Sequence, residues 1–176
     1  AGARLVARGI DVHKRLPEVL KAAHAHKGAA FIEIYQNCIV YNDDVFGSFT
    51  DKANAATGQL WVEHGKPLLF AGGTRGLGID RDELALCVLD VADGDWEGAG
   101  VVTHDRTNRA LVHMLVEMKG EGFPVALGVL YDDPRATFES EVVAQNAEAA
   151  KGKAADLNAL IAKTQTWQVE KQPHVI

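Results

Sequence analysis

The chain has 176 residues, 24 acidic against 18 basic for a net charge of −6, with 47% hydrophobic side chains, 17 glycines and two cysteines. Its size and apolar content suit one domain, or one domain with a small appendage, around an α/β core. The negative balance leaves nucleic-acid binding without an electrostatic footprint, and no apolar run approaches the roughly 20 residues that span a membrane.

The N-terminal AGARLVARGI lacks a Met and a basic leader, and it begins inside a strand pattern covering residues 4–10. The chain is therefore expected to be the back part of a longer one. Leu16, Val19, Leu20 and Ala23 then fall at i, i+3, i+4 and i+7, one apolar face of a helix. Pro17 belongs in its first turn and Gly28 is its natural stop. AAFIEIYQ follows as a strand, so strand, helix and strand succeed one another within the first 36 residues. That rhythm predicts a parallel sheet, whose ligands collect beyond the carboxyl ends of the strands.

Residues 43–65 turn polar and are expected to form a loop with one helical turn, at a boundary between subdomains. KPLLFAGG and DELALCVLDV read as strands around a turn made by GGTRGLG, and DGDWEGAG as a glycine-punctuated loop leading to VVTH. TNRALVHMLVEMKGEG predicts a helix that points Leu111, Met114, Leu115 and Met118 at the core and ends at Gly120. PVALGVLY is a buried strand by its continuous apolar run. Residues 137–163 are alanine-rich and helical, and the tail TWQVEKQPHVI is a surface strand or coil.

Most motifs that imitate a site fail on spacing. GGTRGLG has no lysine after it and no helix to open, so it is a hairpin turn and not a phosphate loop. Asp93-Gly94-Asp95 imitates part of a thiamine diphosphate motif, but the next asparagines, Asn108 and Asn146, stand too near and too far to share its Mg²⁺. It is a turn. His24 and His26 lie two apart on a helix, face different ways and are expected in solvent. His113 is a helix-face residue. His104 lies at a strand end beside Asp105, whose expected role is to cap the following helix. Cys87, among the apolar residues of LALCVLDV, is expected in the core. Cys38 differs, because FIEIYQNCIVYND runs from a strand into a mixed loop at that point. The residues alone leave it either a buried free thiol or a metal or redox cysteine.

FIEIYQNCIVYNDDVF resembles the β subunits of 2-oxoacid:ferredoxin oxidoreductases, above all the 2-oxoglutarate-type two-subunit enzymes. Those chains carry a strand ending in EI, then QNC, an aliphatic pair, an aromatic, Asn and Asp. HKGAA before it, ARGID, and the stretch from PVALGVLYDDPRATFE to the final TW-x-V are similar too. The resemblance covers essentially the whole chain, and it is specific at residues 26–43. Gln36-Asn37, where pyruvate-type relatives have Ser-Pro, favours the 2-oxoglutarate branch.

The resemblance implies the C-terminal half of a thiamine-diphosphate-binding doubly wound parallel sheet, residues 1–58, and a small C-terminal α+β subdomain, residues 59–176. It implies thiamine diphosphate, Mg²⁺ and a [4Fe–4S] cluster as cofactors, with Cys38 as the cluster's fourth ligand. The thiamine motif and the other three cysteines would precede residue 1, which leaves the fragment inactive alone. The implied partners are an α subunit, ferredoxin, coenzyme A and a 2-oxoacid, with no nucleic acid or membrane, and the setting is cytoplasmic, as the scarcity of cysteine also argues. The implied reaction is CoA-dependent oxidative decarboxylation, and no catalytic acid or base is assigned. The alternatives are a non-catalytic α/β assembly module with Cys38 merely buried, or a thiamine-dependent enzyme without a cluster.

Overall fold

The computed structural model describes residues 2–152, 156–163, 165, 167 and 169. The chain divides into two compact units, Ala1–Thr137 and Phe138–Ile176. In the first, β1 (Leu5–Ile10) and β2 (Ala30–Tyr35) pair in parallel across the helix α1 (Leu16–Ala25), as the strand–helix–strand pattern requires. Val19 is the buried residue of α1. Gly9 lets the helix sit close to β1, since a Cβ there would press on Leu16.

The first sheet runs β2-β1-β7-β3, with β7 at Val125–Asp132 and β3 at Gln59–Val62. β3 pairs with β7 in parallel, whereas β1 pairs with β7 antiparallel, with a register shift between Val6 and Ala7. The sheet is thus mixed, and parallel in two of its three pairings. Gly128 makes the centre of β7 possible: its φ is +103°, and a Cβ there would lie 2.9 Å from the Val62 carbonyl oxygen.

The polar stretch expected as a loop with one helical turn holds more structure. It contains two one-turn helices, α2 (Gly47–Thr50) and α3 (Ala55–Gly58), and then β3. β3 opens on a polar residue, Gln59, which is buried because its amide Nε2 donates to the Phe49 carbonyl at 2.7 Å. The glycine stretch is also more than a turn. Gly72 and Gly73 bend the chain after β4 (Leu69–Phe70), but Arg75–Asp80 is a full strand, β5, paired antiparallel with β6 (Ala85–Asp90). Gly76 and Gly78 lie within β5 where the side chains of Val101 and Leu89 cross it, space that a Cβ would fill.

α4 (Arg109–Glu117) buries Leu111, Val112 and Leu115, while Met114 and Met118 pack at the edge of the same core. That core draws Leu60, Phe70, Leu77 and Leu130 from both sheets, with Leu68 just before β4. The second unit holds α5 (Phe138–Ala150) and α6 (Leu157–Ala162), neither of which buries a described residue. Apart from residues 167 and 169, which are exposed, the tail expected as strand or coil lies almost wholly outside the described residues.

Candidate metal-ligand loop

Because β1 and β2 are parallel, their carboxyl ends share one edge of the sheet, and the chain leaves β2 there through Gln36 and Asn37. Three rings anchor this edge. Tyr35 meets Phe46 at 5.0 Å and Phe49 at 5.1 Å, edge-on in both cases. With Ile10 and Leu127 they form a small core of their own under the loop. Burial pushes the Tyr35 phenol above its ordinary range, against the pull of Arg8.

Asn37 closes the loop as a clasp. Its Nδ2 donates to the Asp43 carboxylate at 2.8 Å, and its Oδ1 accepts from the Asp44 N–H at 2.9 Å. Within the clasp the Asn42 N–H donates to the Cys38 carbonyl at 2.9 Å. Cys38 is exposed. The backbone N–H of Tyr41, and after it that of Val40, holds the thiol below its ordinary pKa, and the Asn42 N–H adds to this. Such N–H groups stabilise an anion, so the loop eases loss of the thiol proton, the step that metal binding requires. Around the sulfur the chain offers apolar side chains to solvent: Ile39 is 79%, Val40 77% and Tyr41 91% exposed.

A cleft of about 280 Å³ opens beside the loop, beyond the ends of β1 and β2, lined in part by Asp11, Asn37, Asp44, Thr50 and Asp51. Among the described residues no group of three or more His, Cys, Asp or Glu could hold a metal ion. The clasp was not foreseen from the sequence; an asparagine directly before a cysteine at a strand end is the signal that could have found it.

The remaining candidates fall differently. Asp93-Gly94-Asp95 is a left-handed turn, and the Asp95 carboxylate accepts the Gly98 N–H at 2.8 Å. His24 is exposed, as expected, and His113 lies on an exposed face of α4. His26 is not in solvent: its side chain is 1% exposed, with Nδ1 2.9 Å from Asp132. Asp105 does not cap α4. It accepts the N–H and hydroxyl of Thr107, and the cap is Asn108, whose side chain accepts from Ala110 and Leu111. Cys87 is half-buried and stands outside the core clusters, because β6 lies at the rim of a small sheet. Cys38 itself is the reverse of a buried free thiol.

The chain is 31% identical to the 2-oxoglutarate oxidoreductase subunit KorB of Mycobacterium tuberculosis, over 97% of its own length and 46% of that protein's. It thus spans about half the length of the relative it matches. No protein-family profile matches it, and no solved structure matches it significantly.

Proposed function

We propose that this chain, which belongs with the β subunits of 2-oxoacid oxidoreductases, is part of a CoA-dependent 2-oxoglutarate:ferredoxin oxidoreductase, and that Cys38 is its ligand to a [4Fe–4S] cluster. The observation that carries the proposal is the state of the sulfur. It is exposed at the end of a strand whose loop Asn37 clasps, and backbone N–H groups hold its pKa below the ordinary thiol range. Thiolate is the soft ligand that iron takes, and N–H groups aimed at sulfur help set a cluster's potential. The residues present fit a single ligand of such a group.

Ile39, Val40 and Tyr41 fit the same reading. Left in water they are an apolar patch beside the Cys38 thiol. Covered by the polypeptide that brings the other ligands, they would keep water from the iron, while the Asn37 clasp fixes the sulfur's position. No residue of this chain is assigned to thiamine diphosphate or its Mg²⁺. When bound, thiamine diphosphate supplies the electron sink for decarboxylation and the cluster supplies one-electron transfer to ferredoxin. An α subunit and a cytoplasmic setting complete the proposal; no described helix is long and apolar enough to cross a membrane.

The test is an anaerobic assay of the intact subunit co-expressed with its α partner. Ferredoxin reduction that needs both 2-oxoglutarate and coenzyme A is expected. A preference for pyruvate would move the chain to the other branch. An assembled complex that reduces nothing with any 2-oxoacid would leave an assembly module instead.

A further inference from the structure

The side chain of Asn37 makes both bonds at the neck of the Cys38 loop. Its Nδ2 donates to the Asp43 carboxylate at 2.8 Å, a charge-assisted bond, and its Oδ1 accepts the Asp44 N–H at 2.9 Å. Asp44 stands at φ +57°, in the left-handed region, so the clasp grips the residue at which the chain turns. Both sides of the neck rest on the same rings. Tyr35 ends β2 on one side, and Phe46 and Phe49, which follow Asp44 on the other, meet its ring edge-on. Every one of these contacts is made within residues 35–49.

What the clasp encloses is a set of donors. The N–H groups of Tyr41 and Val40 act on the Cys38 sulfur, and that of Asn42, which also donates to the Cys38 carbonyl at 2.9 Å, adds a lesser pull. Hydrogen bonds weaken steeply as their angle departs from linear, so donors on consecutive residues keep their aim only while the loop keeps its shape. Reduction adds negative charge to a cluster and its sulfurs. Donors directed at a ligating sulfur therefore stabilise the reduced form more than the oxidised one and raise the potential. Asn37 carries no charge and bonds Asp43 and Asp44, so its influence on the sulfur passes through the shape of the loop.

We infer that Asn37 is a positioning residue for electron transfer: by closing the loop it fixes the aim of the backbone N–H groups at Cys38 and so raises the potential of the cluster this sulfur holds. The inference rests on the proposed reading of Cys38 as a [4Fe–4S] ligand.

The test is a redox titration, followed by electron paramagnetic resonance, of the anaerobically purified intact subunit with its α partner, comparing the parent with Asn37→Ala and Asp43→Asn. Asn37→Ala removes both bonds and changes no formal charge. Its cluster is expected to titrate at a more negative potential, on the order of tenfold in the reduction equilibrium, or about 59 mV for one electron. Asp43→Asn keeps an oxygen for Nδ2 and loses a negative charge, so its potential should not fall. Where Asn37→Ala does not retain the cluster, Asn37→Ser, whose hydroxyl still offers the Asp44 N–H an acceptor, should show a smaller negative shift. A potential unchanged or raised in the Asn37 variant that keeps its cluster, or lowered as far in Asp43→Asn, would overturn the role of Asn37 and leave Cys38 as a ligand. A parent without a cluster, or a cluster unmoved by Cys38→Ala, would remove the ligand and the role of Asn37 together.

Discussion

His104 is 1% exposed, and its Nε2 lies 3.1 Å from the Leu130 carbonyl, to which it donates. Its Nδ1 is buried and meets no close hydrogen-bond partner among the described residues. Burial holds the imidazole below its usual pKa of 6.5, outweighing the pull of the Leu130 and Glu63 backbone. The folded state therefore resists a proton that the unfolded chain accepts. His104 contributes its full stability above about 6.5, and that contribution falls as pH drops from there towards the folded pKa. His13, lowered first by burial and then by Arg15 and Lys14, acts in the same direction. His104→Gln keeps an amide donor for Leu130 and cannot titrate. Urea midpoints measured from about pH 7 to about pH 5 should fall less steeply in the variant than in the parent; parallel curves would refute the role given to burial. At this scale the sequence singled out Cys38 as a candidate but not the backbone N–H groups of Tyr41 and Val40 that lower its pKa, because their direction belongs to the folded loop. His26 was misplaced for a related reason. Its partner, Asp132, lies 106 residues away, and no local pattern announces that contact.

Elements built from contiguous signals were legible, and those resting on one distant contact were not. α1, β2, α4 and β7 follow from apolar spacing within their own residues. β3 does not, since its four residues become a strand by pairing with β7 and by sinking the Gln59 amide onto Phe49. β5 was hidden by its glycines, which read as a turn until Val101 and Leu89 are seen to cross them. Gly128 allows a sharper test of element geometry. In Gly128→Ala the new Cβ meets the Val62 carbonyl and the backbone is strained, a loss of about 1–3 kcal/mol. Gly65→Ala has a comparable positive φ but open space around it, so it should cost less. Denaturant unfolding of the two variants measures the difference, and equal losses would mean that the β7–β3 contact is looser than described.

For the molecule as a whole, every buried apolar residue among the described ones lies at or before Tyr131, within the unit that ends at Thr137. A chain cut after Thr137 should therefore still unfold in one cooperative transition, followed by circular dichroism. Loss of cooperativity would show that Phe138–Ile176 carries part of the core. The α/β class and the parallel β1–α1–β2 unit were legible because they lie within one short stretch. The antiparallel placement of β7 beside β1 was not, since no local pattern records which strands become neighbours. Of the proposed site the sequence singled out one cysteine and its motif; the Asn37 clasp and the exposed apolar side chains beside Cys38 came only with the fold. One measurement bears on all of this most directly: iron and acid-labile sulfide in the anaerobically purified intact subunit, with and without Cys38→Ala. The parent should hold a cluster with its visible absorbance and the variant should lose it, while both stay folded. Iron content and spectrum unchanged by the substitution would contradict the assignment of Cys38.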